Sequence, residues 1–109
     1  MTSRKDRIEQ MLADSPGDQF LRYSLAMELR KEGENERCTE LFSSLTRDAP
    51  PHVPAFLMFA QYFAENDRID EARSVLREGI EVARAQNESH AAGEMGELLA
   101  TLGAEGESA

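Results

Sequence analysis

Two stretches of sequence decide the fold, and they lie 34 residues apart: residues 25–42, LAMELRKEGENERCTELF, and residues 59–76, FAQYFAENDRIDEARSVL. Aligned without a gap, they match apolar residues with apolar residues, and small residues with small ones. The matched pairs are Leu25 with Phe59, Ala26 with Ala60, Leu29 with Phe63, Cys38 with Ala72, and Phe42 with Leu76. Apolar residues recur at intervals of three and four, as on a helix, and then stop at a turn. A repeat of this period predicts an array of helical units.

The same 34-residue register continues towards the N-terminus. Upstream it matches Ile8 with Phe42, Met11 with Leu45 and Pro16 with Pro50. From the periodicity and the turn residues we expect six helices, near residues 4–13, 18–32, 36–47, 54–65, 69–85 and 88–102. The expected N-terminal capping side chains are Ser3 with Asp6, Asp18, Asn35 and Asp70.

The composition favours an all-α protein. Ala, Leu, Glu and Arg account for 50 of the 109 residues, whereas Val, Ile and Thr account for 10, so strong helix formers outnumber strand formers. With 40% hydrophobic and 30% charged residues, the chain is too apolar to be intrinsically disordered. The single cysteine excludes an internal disulfide and therefore a disulfide-stabilised secreted scaffold.

The charge balance disfavours nucleic acids and membranes as partners. The chain carries 21 acidic and 12 basic residues, a net charge of −9, so it offers few cations for phosphate groups. The longest uncharged stretch, residues 49–64, is shorter than the roughly 20 residues of a membrane span, and three prolines stand near its start. The N-terminus leads into no apolar signal segment. We therefore expect a soluble, cytoplasmic protein.

The two repeats resemble those of the tetratricopeptide-repeat (TPR) family, in which an aromatic residue, Leu-Gly and Tyr on the first helix precede Ala, Phe and a small residue on the second, followed by Pro. The resemblance covers roughly residues 5–100. Three residues depart from the pattern: Arg22 at the leading aromatic position, Asp67 at the turn glycine and Arg84 at the final proline. Either neighbour of Arg22, Leu21 or Tyr23, could compensate for the missing aromatic residue. The matching residues are Leu25, Ala26, Leu29, Gly33, Cys38, Phe42, Leu45 and Pro50 in the first repeat, and Phe56, Phe59, Ala60, Phe63, Ala72, Leu76 and Gly79 in the second.

This resemblance implies a right-handed α-solenoid of antiparallel helix pairs, as in a small stand-alone bacterial-type TPR protein. We expect one domain over residues 1–103, with repeats at about 19–52 and 53–86 and flanking helices at about 4–13 and 88–102. Residues 104–109 are expected to form a disordered tail. The closing helix is expected to face solvent with a polar set: His90, Gly93, Glu94 and Glu97.

The family resemblance also implies a function, the binding of a protein or peptide on the concave face of the solenoid. Tyr23 and Met27 stand where relatives that hold a terminal carboxylate begin their Lys/Asn clamp, so we expect an apolar or amphipathic peptide or helix instead. Two alternatives stay open: these residues extend the core, or the chain buries the same face in a homo-oligomer such as a homodimer. The concave positions are Phe20, Tyr23, Met27, Arg30 and Lys31 in the first repeat, Leu57 and Gln61 in the second, and Met95 in the closing helix.

Residues that could carry catalysis or bind a metal are few. Cys38 occupies a position that demands a small buried side chain, and His52 lies in a proline-containing turn where a solvated histidine is expected. His90 and Glu94 are one helical turn apart, but zinc needs three or four ligands. We therefore expect no enzymatic activity, no cofactor and no metal.

Overall fold

The computed structural model describes residues 2–106, with side chains described for residues 2–103. Within this range the protein is all-helical and contains no strand. The helices are α1 (Arg4–Asp14), α2 (Gln19–Glu32), α3 (Asn35–Thr46), α4 (Val53–Glu65), α5 (Ile69–Ala85) and α6 (Ser89–Gly106). Apart from the end of α6, every helix begins and ends within one residue of its predicted bounds. Among the described residues, none of the helices combines the length and apolar content that a membrane span requires.

Helix α6 continues beyond its predicted end. It runs to Gly106 rather than to residue 102, and so includes the first three residues of the expected disordered tail. The sequence after residue 102 contains no proline to stop a helix, and Gly103, which lies inside the helix, weakens it by only about 1 kcal/mol. The remainder of the predicted tail, residues 107–109, lies outside the described residues.

Side-chain capping follows the sequence prediction at the first two helices only. Ser3 caps α1 in a capping box with Asp6, and the Asp18 side chain accepts a hydrogen bond from the Leu21 amide at 2.9 Å. The predicted caps Asn35 and Asp70 instead lie inside the first turns of α3 and α5, and no side-chain cap bond forms there.

The chain divides into two compact units, residues 1–52 and 53–109. The division falls where the 34-residue period separates the first repeat from the second. In the first unit α2 packs against both α1 and α3, and in the second α5 packs against both α4 and α6. Every residue of the five matched pairs is at most 6% exposed, so the repeated positions form the cores of both units.

The turns between paired helices use left-handed backbone. Gly33 ends α2 with φ of 74°, and Asp67, the residue at the matching position of the second repeat, has φ of 59°. Asp tolerates this region better than most residues, because its short side chain bonds locally. Asp67 therefore takes the same left-handed turn conformation as Gly33.

Candidate functional site

Two adjacent hollows of about 390 Å³ each lie along α1 and α2 of the first unit. Arg4, Phe20 and Ser24 line both hollows, so the two form one continuous surface, which we call the α1–α2 groove. A third hollow of about 500 Å³ on α1 is lined mainly by polar side chains. The α1–α2 groove is lined by Arg4, Arg7, Ile8 and Met11 of α1 and by Phe20, Leu21, Tyr23, Ser24, Met27, Glu28 and Lys31 of α2.

Apolar side chains in this groove are unusually exposed. Phe20 is 70% exposed and Met11 is 49% exposed, whereas the neighbouring Ile8 is 4% exposed. Phe20 lies in the first turn of α2, which Asp18 caps. Residues three, four and seven positions further along a helix share its face. Tyr23 and Met27 therefore continue the apolar stripe that Phe20 begins.

The opposite end of the groove is cationic. The Arg4 Nε and Glu28 Oε1 atoms are 2.7 Å apart, and the Lys31 Nζ atom is 3.7 Å from the same carboxylate oxygen. The side chains of Arg4 and Lys31 are 67% and 73% exposed, whereas that of Glu28 is 14% exposed. Glu28 is therefore covered and paired with two cations that remain open to solvent.

The structure brings together half of the predicted site residues. Phe20, Tyr23, Met27 and Lys31 all line the α1–α2 groove. Arg30 lies on α2 but is not among the residues that line either hollow. The predicted first-repeat site is thus largely assembled within one unit.

The predicted residues of the second unit differ in exposure. Leu57 and Gln61 are half-buried on α4. Met95 is 1% exposed and packs close to Gly79 of α5, so it is a core residue rather than one presented to a ligand. Met95 was predicted to lie on the concave face, with packing in the core as the open alternative. Packing is observed, because the absence of a side chain at Gly79 leaves room for the thioether.

Sequence reasoning missed the contribution of α1. Arg4, Arg7 and Met11 were not predicted to take part in the site, although they form one wall of the groove. One sequence feature did distinguish α1 from the later helices. Arg4 stands 34 and 68 residues before Cys38 and Ala72, so the first helix carries a large charged residue where the repeats carry a small buried one. The repeat was misleading for Met11. Its match to Leu45, which is fully buried, indicates a buried residue, but Met11 is half exposed.

A polar network lies where the family pattern has an aromatic residue. Arg22 forms an ion pair with Asp48 and donates to Ser44 Oγ at 3.2 Å and to the Gly17 carbonyl at 3.3 Å. Gln19 Nε2 donates to Asp48 Oδ2 at 3.0 Å. Hydrogen bonds from Arg22, and then from Gln19, hold the pKa of Asp48 below its ordinary value. Arg22 therefore ties α2 to the end of α3 by charge rather than by an aromatic ring.

His52 belongs to the same network, and the expectation of a solvated loop histidine is wrong. His52 is half-buried, its Nδ1 atom lies 3.3 Å from Gln19 Oε1, and its ring centroid is 5.2 Å from that of Tyr23. Gln19 also donates to the Pro50 carbonyl at 2.8 Å, which holds the turn against α2. Tyr23, which contacts the His52 ring, is partly buried, and this burial raises the pKa of its hydroxyl. The turn is thereby packed instead of solvated.

Cys38, His90 and Glu94 are the remaining side chains that the sequence analysis considered for catalysis or metal binding. Cys38 is fully buried, as predicted, and burial raises the pKa of its thiol to about 11. It is therefore protonated at neutral pH, whereas a nucleophilic cysteine acts as the thiolate. His90 Nε2 lies 3.4 Å from Glu94 Oε1, and its side chain is 93% exposed. Among the described residues, no three His, Cys, Asp or Glu side chains converge as metal ligands would.

The fold has a solved counterpart. The chain is similar to the solution structure of protein BPP2914 from Bordetella parapertussis, with a TM-score of 0.79. The similarity covers 96% of this chain and 91% of that one, at 19% sequence identity. At this identity the likeness concerns the fold alone. No family model and no curated protein matches the chain.

Proposed function

We propose that this protein is a non-catalytic interaction module that binds the apolar face of a partner helix in the α1–α2 groove. The observation that carries the proposal is Phe20, which lines both hollows with 70% of its surface exposed. Met11 adds a second exposed apolar side chain on the facing helix. Contiguous exposed apolar surface with a polar rim is characteristic of protein-binding sites.

The side chains of the groove are suited to contact the apolar face of a partner helix. Partner helices of this kind insert residues spaced at three, four and seven positions into an apolar channel. Met27 is flexible and adapts to an irregular surface, while Tyr23 pairs an apolar ring with a polar hydroxyl. These properties favour recognition of shape and apolar character over capture of a single terminal group.

We also propose that the two repeats stack as a right-handed TPR-type solenoid. The gapless 34-residue period, the six helices of the described region and the burial of every matched pair support this assignment. A protein of this type would act as a scaffold and not as an enzyme. Four of the predicted concave positions, Phe20, Tyr23, Met27 and Lys31, line the α1–α2 groove.

The variant Phe20→Glu tests the proposed function. Burying a phenylalanine contributes about 1.5–3 kcal/mol, so with Phe20 70% exposed roughly 1–2 kcal/mol is available to a partner. Its removal should weaken binding about 5- to 30-fold, since 1.4 kcal/mol corresponds to a factor of ten. Glutamate is favourable in the first turn of a helix, so the melting temperature should not fall. Ser74→Glu, an exposed change on α5, is the matched control.

The assay compares proteins captured from a lysate of the source organism by the wild type and both variants, followed by calorimetric binding of each purified candidate. The proposal expects a direct partner that Phe20→Glu loses and Ser74→Glu retains. If every direct partner binds Phe20→Glu as tightly as the wild type, the groove is not the site. If the wild type instead gains mass with concentration in light scattering and Phe20→Glu does not, the groove serves self-association.

A further inference from the structure

We infer that the partner helix carries acidic side chains two to three turns from its apolar anchor, an inference that rests on the proposed function. The α1–α2 groove is lined by three cationic side chains, Arg4, Arg7 and Lys31, and by one carboxylate, Glu28. Its formal charge is therefore positive, in a chain whose net charge is −9. A locally positive surface favours an acidic partner segment, whereas the net charge of −9 makes whole copies of this chain repel one another.

The existing ion pairs leave these cations able to bind a partner. Glu28 contacts both Arg4 and Lys31, but one carboxylate cannot satisfy an arginine and a lysine together, because these groups carry five and three N–H donors. Both cations are more than two-thirds exposed, so most of their donors face solvent. An incoming carboxylate can therefore meet Arg4 and Lys31 without displacing Glu28.

The groove has a direction, which sets the spacing required of the partner. Along α2 the groove runs from Phe20 in the first turn to Lys31 in the last, and Arg4 contacts Glu28 near the Lys31 end. Phe20 and Lys31 are eleven residues apart on one helix, which corresponds to roughly 16 Å at 1.5 Å per residue. A partner helix lying along α2 would place its acidic residues about 8–11 positions from the side chain that contacts Phe20. In this arrangement the cations bind carboxylates on the side chains of the partner helix, so the partner does not need a free C-terminus in the groove.

A peptide selection tests this chemistry. A phage library of random 16-residue peptides is selected on the wild-type protein, after removal of the clones that bind Phe20→Glu. The inference expects enriched peptides with apolar residues at helical spacing and Asp or Glu 8–11 positions away. Enriched peptides that are neutral or basic at those positions would overturn the inference and leave the proposed function standing. If no peptide prefers the wild type to Phe20→Glu, the proposed function itself is wrong.

Charge reversal then tests the assigned cations. The strongest peptide is synthesised with its acidic residues and with glutamine in their place, and both are measured by fluorescence polarisation. The double variant Arg4→Glu with Lys31→Glu should weaken the acidic peptide at least tenfold and the glutamine peptide less than twofold. Arg77→Glu, an exposed reversal on α5, should change neither. Equal affinity of the two peptides for the wild type would refute the role of these cations.

Discussion

Replacing Gly79 by alanine should destabilise the protein, although the same substitution usually stabilises a helix. A Cβ atom at this position would lie 2.6 Å from both the Met95 sulfur and the Phe56 Cβ atom, well inside normal contact distance. The thioether of Met95 can move, but the Phe56 Cβ is fixed to the backbone of α4, so the helices must separate. At such a close approach we expect overpacking to cost about 3 kcal/mol, the upper part of its usual range.

The gain in helix propensity offsets about 1 kcal/mol of that cost, which leaves a net loss of roughly 2 kcal/mol. For a chain of this size the melting temperature should fall by about 8–16 °C, as followed by circular dichroism at 222 nm. The matched control is Gly93→Ala in α6, where nothing lies within 4 Å of the added Cβ and the melting temperature should rise. If both variants raise the melting temperature equally, α5 does not approach α4 and α6 as closely as the structure shows.

Three further predictions concern single side chains. Cys38 should not react with a thiol reagent at pH 8 until the protein is denatured, and rapid labelling of the folded protein would contradict its burial. The pKa of Asp48 lies below its ordinary value of 3.8, so ionised Asp48 stabilises the fold above that pH and the contribution is lost as the pH falls through the lowered pKa. Asp48→Asn should therefore lower the melting temperature at pH 7, and the gap to the wild type should close in acid; a gap independent of pH would refute the ion pair with Arg22. Asp67→Val should cost about 1–2 kcal/mol in denaturant titration because of its left-handed backbone, whereas Asp67→Gly should be tolerated; equal stability of the two would argue against that geometry.

The helices and the cores could be predicted because they depend on local periodicity. The apolar pattern repeats after 34 residues, and residues that share a register position also share an environment. Ala26 and Ala60 are both fully buried for this reason, as are Cys38 and Ala72. Helix ends were predictable to within one residue where a turn residue such as Gly33 interrupts the pattern. Gly103 follows the predicted end of α6 in the same way, yet the helix continues to Gly106, so there the prediction stopped too early.

The candidate site could be predicted only in part, because it depends on contacts between helices. Phe20, Tyr23 and Met27 share one face of α2, and helical spacing alone reveals that stripe. The facing wall comes from α1, and a pattern within one helix does not show which side chains of another lie opposite. The Arg22–Asp48 ion pair joins α2 to a residue 26 positions further along the chain, just after α3. No spacing rule within either helix relates such a pair.

Photo-crosslinking from position 20 tests most directly whether the α1–α2 groove receives a partner. Benzoylphenylalanine replaces Phe20 in cells of the source organism, and the same residue placed at Ser74 of α5 serves as the exposed control. The account predicts a discrete light-dependent adduct with another protein at position 20 and none at position 74. Adducts of equal yield at both positions, or adducts at position 20 with further copies of this chain alone, would contradict it.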